Sequence, residues 1–175
     1  MKTLFAVFFA ISLSLTTCSQ KSSNTTASNE AETTTYYFIR HAEKDRTDAT
    51  NKNPNLNESG LKRADKWANY FKDIKLDAIY STHYNRTQQT AQPTANAKKL
   101  DILDYDPRAL YTTDFAKATK GKTVLVVGHS NTTPAFVNMV LGHDKYKDID
   151  DNDNSQLFMV TISEEKTLDE VISIN

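Results

Sequence analysis

Only one cysteine, Cys18, occurs in the 175 residues, so no disulfide within the chain can brace its fold. A basic excess is also missing: 21 Lys and Arg stand against 22 Asp and Glu, for a formal net charge of -1. A protein that neutralises nucleic-acid phosphates needs a cationic face. Nucleic acid is therefore excluded as a partner, and any phosphate affinity has to be local. The longest apolar run, Leu4 to Leu15, falls short of the roughly 20 residues that a membrane-spanning helix requires. Internal repeats are absent. What remains, 38% hydrophobic and 25% charged, is the composition of one soluble core.

Three segments are expected. Met1-Lys2, the apolar Leu4 to Leu15 and the small residues before Cys18 read as a signal peptide over residues 1–17. Leu15-Thr16-Thr17-Cys18 resembles the lipobox of a bacterial lipoprotein, which would make Cys18 a lipidation site and tether the protein to a membrane surface outside the cytoplasm. A plain secretory signal with a chance cysteine is the other reading. Residues 18–35 hold no large apolar side chain, so they cannot offset their own ordering entropy and are expected to form a flexible tether. The folded domain is expected over residues 36–175.

Within that domain the apolar runs predict strands at Tyr36 to Arg40, Leu76 to Tyr80, Asp101 to Tyr105 and Thr123 to Val127, with a closing hairpin of Gln156 to Ile162 and Leu168 to Ile174. Between them, Leu61, Ala64, Ala68 and Phe71 fall at helical spacing behind Asn57 as N-cap. Further helices are expected from Asn85, with a kink at Pro93, over Asp114 to Thr119, and from Thr133-Pro134 to Leu141. Alternating strands and helices predict a three-layer α/β sandwich with a mostly parallel sheet flanked by helices.

Parallel sheets keep their chemistry at the carboxyl ends of the strands. Here the first strand ends on Arg40-His41, the second leads through Ser81 into Arg86 and Thr87, and the fourth ends on Gly128-His129. Two arginines and two histidines on one rim make an anion site containing a nucleophile. A phosphate at the start of the Asn85 helix would meet free backbone N–H groups, with Arg86 and Thr87 in reach. Ser81 and Thr87 read equally well as phosphate ligands and as helix-start caps. The polar loop Asp45 to Asn55 is expected to shape the site. Asp148 to Asn154 lacks the glycine and terminal glutamate of a calcium loop and reads as solvated.

Four motifs in order, Arg40-His41-Ala42-Glu43, Leu56-Asn57-Glu58-Ser59-Gly60, Ser81 through Ala91, and Gly128-His129, resemble those of the histidine phosphatase superfamily, in its branch of phosphoglycerate mutases and phosphohistidine phosphatases. The resemblance implies that His41 is a nucleophile forming a phosphohistidine. It implies further that Arg40 and Arg86 bind the phosphoryl oxygens, that His129 donates to the same group, and that neither metal nor other cofactor is needed. The substrate would be a small phosphate monoester, a phosphohistidine or another phosphoprotein group.

The family's acidic partner has no counterpart: Arg108 to Thr113 holds no carboxylate, and Ser130 follows the second histidine. Asp114 and Glu43 are the candidates for a general acid. Two other functions remain in view. A non-catalytic lipoprotein could bind phosphorylated ligands in the same pocket. Ser130, at the end of Val124 to His129, could be the nucleophile of a serine esterase, although the elbow that such enzymes use wants glycine where Thr132 stands.

Overall fold

A computed structural model describes residues 32–175; the signal, Cys18 and most of the tether lie outside the described residues. Six strands, β1 (Thr34–Arg40), β2 (Ala78–Ser81), β3 (Ile102–Asp104), β4 (Thr123–Gly128), β5 (Gln156–Ile162) and β6 (Thr167–Ser173), form one sheet in the order β3-β2-β4-β1-β5-β6. The first four of that order run parallel, and the β5-β6 hairpin closes one side antiparallel. Thr34 and Thr35, expected in the tether, already belong to β1, because Thr35 pairs with Thr123 of the central strand.

Four helices cover the faces: α1 (Glu58–Tyr70), α2 (Asn85–Lys98), α3 (Thr113–Thr119) and α4 (Thr132–Leu141). The pleat divides β4 between two cores, as strand geometry requires. Val124 and Val126 join Tyr36, Phe38, Phe115 and Phe136 on the side of α3 and α4. Leu125 and Val127 join Ile39, Trp67, Phe71 and Ala91 on the side of α1 and α2. β4 is covered on both faces, which is why its sequence is almost continuously apolar. No helix among the described residues is long and apolar enough to cross a membrane.

One local expectation is corrected. Leu61 is not part of the buried stripe of α1: it is 51% exposed, and Gly60, Ala64 and Trp67 face inward. The cause is the close approach of the chain after β1. A Cβ on Gly60 would sit 2.1 Å from the Glu43 carbonyl oxygen, so this glycine takes the inner position and turns Leu61 outward. Asn57 is the cap as expected, accepting from the Gly60 amide at 2.9 Å. Pro93 lies inside α2, which runs through it to Lys98 and ends on Lys99 in the left-handed conformation.

Candidate active site

The register of β1 against β4 sets Arg40 opposite Gly128, and the His41 amide donates to the Gly128 carbonyl at 2.9 Å. His41 and His129 therefore leave the sheet side by side, their rings 5.5 Å apart and tilted by 67°. Gly128 is required by crowding. A Cβ there would lie 2.8 Å from both the Thr133 and Tyr105 hydroxyl oxygens.

His41 is buried at 4% exposure. Its Nδ1 lies 2.7 Å from the Ala42 carbonyl oxygen, which can only accept, so Nδ1 carries the proton and Nε2 keeps its lone pair. Burial, then the charges of Arg40 and Arg86 and the neighbouring His129, lower its pKa from 6.5 to about 3. The ring is thus neutral near pH 7, with its free nitrogen available. Besides the Gly128 bond, Asn154 Nδ2 donates to the His41 carbonyl at 2.8 Å, and the amide of the next residue, Ala42, donates to Thr90 Oγ1 at 2.9 Å. Thr90 donates in turn to the Arg86 carbonyl at 2.7 Å, locking α2 to the end of β1.

Arg40 is 2% exposed, and the loop before β5 grips it. Nη1 donates to the carbonyls of Asp150 and Asp153 at 2.7 and 3.0 Å, and Nη2 to Asp151 Oδ1 at 2.6 Å. Its Nε is buried without a partner. Asp151 also binds Arg46 at 2.8 Å, and the two arginines hold its carboxyl down at about 2. The segment expected to be a solvated loop is therefore the wall that orients Arg40. Its Asp151 carboxylate faces two arginines brought from 105 and 111 positions away, a pairing that no local pattern displays.

Arg86 sits over the Tyr84 ring at 4.5 Å and brings Nη2 to 3.4 Å from His129 Nδ1. Its Nε and Nη1 are buried with no partner. His129 Nε2 lies 2.9 Å from Thr82 Oγ1; with Nδ1 facing a guanidinium, Nε2 carries the proton and donates to Thr82. Burial and the charges of Arg86, Arg40 and Lys44 lower the His129 pKa to about 4. Donation from His129 to a bound anion would thus need a second proton on Nδ1.

The four residues His41, Arg40, Arg86 and His129 are brought together. Other expected members of the site are not. The Ser81 hydroxyl is buried and donates to the Thr82 carbonyl at 3.0 Å, and that of Thr87 lies 2.8 and 2.9 Å from the carbonyls of Thr82 and Tyr84. Both tie down the turn before α2, and the hydroxyl that reaches a histidine belongs to Thr82. The first amide of the helix is already taken, because Asn53 Oδ1 accepts from the Asn85 amide at 2.8 Å. The loop from Asp45 to Asn55 therefore reaches the site partly by capping α2.

Of the two proposed acids, Asp114 is set away from the rim, and Glu43 is held by an arginine through Oε1 while its Oε2 is buried without a partner. Asp114 is exposed in the first turn of α3; Thr113 beside it lines a cavity of about 370 Å3 with Glu32, Thr34 and Ile162, toward the end of β1 opposite His41. Glu43 is paired with Arg63 Nε at 2.8 Å. Ser130 lacks the base that an esterase nucleophile needs, since among the described residues its hydroxyl has no hydrogen bond to either histidine, and both ring nitrogens of His129 are engaged with Thr82 and Arg86. Among the described residues no group of three or more His, Cys, Asp and Glu is placed to hold a metal ion.

Residues 36–109 match the family model of the histidine phosphatase superfamily (branch 1). Among solved structures, the chain is similar to the putative phosphohistidine phosphatase SixA from Agrobacterium tumefaciens at 22% identity, covering 81% of this chain and 99% of that one with a TM-score of 0.61. A phosphoglycerate mutase from Bacillus anthracis shares 15% identity over 82% of this chain and 93% of its own, at 0.59. A phosphoserine phosphatase mutant from Entamoeba histolytica shares 14% over 77% and 94%, at 0.60. None of the curated proteins matches. The four motifs are gathered on one rim of this fold, and three of them fall within the stretch that matches the histidine phosphatase superfamily model.

Proposed function

We propose that the protein is a metal-independent phosphatase that hydrolyses phosphate monoesters or phosphohistidine through a phosphohistidine at His41. One observation carries the reading: Arg40 Nε and Arg86 Nε and Nη1 are buried donors without acceptors, and both arginines act on a histidine whose Nε2 is unprotonated. Buried N–H groups of this kind cost free energy unless an acceptor arrives. A tetrahedral oxyanion is the acceptor they suit, and it would stand in front of the nucleophile.

In this reading His41 Nε2 attacks phosphorus while the bond to the leaving oxygen, or to the leaving imidazole nitrogen, breaks and its electron pair departs with that group. Arg40 and Arg86 stabilise the charge spread over the phosphoryl oxygens. His129 takes up a proton on Nδ1 beside the dianion and then donates to it. Water next attacks phosphorus, the N–P electrons return to Nε2 and inorganic phosphate leaves. Since Asp114 is remote and Glu43 is paired, the reading favours groups that depart without help, such as aryl oxides or the imidazole of a phosphohistidine. The expected signal at residues 1–17 and lipid on Cys18 would place this activity at a membrane surface outside the cytoplasm, where small phosphate monoesters are the more accessible substrates.

The test is hydrolysis of phenyl phosphate with a chelator present, wild type beside His41→Ala. Turnover that persists with chelator and disappears with His41 is expected, along with an acid-labile phosphoenzyme. Unchanged activity in His41→Ala would overturn the mechanism. No turnover by the wild type, with vanadate still bound, would favour the phospholigand-binding alternative.

A further inference from the structure

Two buried hydroxyls, those of Thr82 and Thr87, link the start of α2 to His129. Thr87 Oγ1 lies 2.8 and 2.9 Å from the carbonyls of Thr82 and Tyr84 and 3.0 Å from Thr82 Oγ1, which in turn lies 2.9 Å from His129 Nε2. The direction of the protons along this chain is fixed from its far end. Carbonyls only accept, so the single proton of Thr87 goes to them; Thr82 must then donate to Thr87, and its oxygen is left to accept from His129 Nε2. Both residues are closed to solvent, so bulk water offers neither hydroxyl a second partner. Nδ1 therefore keeps its lone pair, on the side of the ring where Arg86 Nη2 stands at 3.4 Å. The other groups around the ring are Arg40 and Lys44, His41 with its ring 5.5 Å away, and the Tyr84 ring at 5.1 Å. Neither ring nitrogen has a carboxylate partner among the described residues.

A lone pair and a phosphoryl oxygen repel each other unless a proton lies between them. We propose that Thr82 is a positioning residue for the reaction: it fixes His129 as the Nε2–H tautomer, so that a phosphoryl group binds together with one proton, shared between Nδ1 and the oxygen that faces it. That proton comes from solvent when the dianion binds, or enters on the ester itself as its monoanion, and the balance is the same. The inference rests on the phosphatase reading and deepens it, since the ester is recognised in its singly protonated form. With the opposite tautomer, a neutral ring would donate from Nδ1 to the dianion and no proton would be taken up.

The test is calorimetric binding of inorganic phosphate to the purified protein at pH 8 and at pH 9, where free phosphate is the dianion; one proton taken up makes the wild-type affinity fall about tenfold over that unit. Thr82→Val removes the acceptor from Nε2 and frees the neutral ring to present Nδ1–H, so its affinity is expected to stay level across the same unit. Thr82→Ser restores the hydroxyl and with it the tenfold fall. A threonine that only braced the turn would lower the affinity equally at both pH values and leave the fall intact. A level wild type, or a Thr82→Val variant that keeps the full fall, would overturn the proposal. Nitrogen NMR of His129 in the isotope-labelled wild type needs no variant: the Nε2–H tautomer is expected, and Nδ1–H would overturn it. Phosphate bound with its proton by a protein that hydrolyses no ester would end the phosphatase reading and leave Thr82 in its role. Phosphate that does not bind at all would overturn both.

Discussion

Arg40 Nη2 donates to Asp151 Oδ1 across 2.6 Å, although 111 positions separate the two residues. One partner is 2% exposed and the other 61%, so a buried cation of the rim is balanced by a carboxylate at the surface. The carbonyls of Asp150 and Asp153 hold the same guanidinium without charge.

From this arrangement Asp151→Asn is expected to leave Arg40 in place while removing a competing negative charge. Inorganic phosphate should then inhibit about threefold more tightly, a modest effect because Asp151 is solvated. Competitive inhibition constants for phosphate measured at low ionic strength would check it. A weaker inhibition would mean that the carboxylate orients Arg40 rather than screens it.

Stability should depend on pH through the two histidines. Their folded pKa values, about 3 and about 4, lie below the ordinary 6.5, so between pH 6.5 and 4 the unfolded chain binds more protons than the folded one. Stability therefore falls as pH drops through that window and levels off above it, by up to about 1 kcal/mol per pH unit for each histidine. Urea unfolding at pH 7 and pH 5 should show the loss in wild type and a smaller one in the His41→Asn, His129→Asn double variant.

Gly60→Ala should be among the most damaging single-methyl changes in the domain. The new Cβ would meet backbone, the Glu43 carbonyl at 2.1 Å, which cannot rotate away as a side chain could. A loss of about 2 to 3 kcal/mol is expected, with reduced turnover as the segment after His41 shifts. Denaturant midpoints and phenyl phosphate hydrolysis measured on the same preparation would record both.

Cys18→Ala should abolish incorporation of labelled palmitate when the full chain is made in a bacterial host that processes lipoproteins. The variant should appear in the soluble extracytoplasmic fraction with its phosphatase activity unchanged. Labelling that persists without Cys18 would remove the lipoprotein assignment.

Much of the molecule could be read from local pattern. Apolar runs marked β1, β4 and the β5-β6 hairpin, Asn57 marked the start of α1, and the ends of β1 and β4 delivered Arg40-His41 and His129. Strand period, capping chemistry and the carboxyl-end rule for parallel sheets act over a few residues or follow from chain order, so a linear sequence displays them. Other features depended on which surfaces meet. The contact of Gly60 with Glu43 decided the rotation of α1 and exposed Leu61. Packing around the turn before α2 made Ser81 and Thr87 internal ties and left Thr82 facing His129. Long-range pairing turned the acidic segment near Asp151 into the support of Arg40, and the position of α3 took Asp114 away from the rim. Each of these rests on contacts between elements distant in sequence, where the packing of the sheet and not the spacing of residues selects the partner.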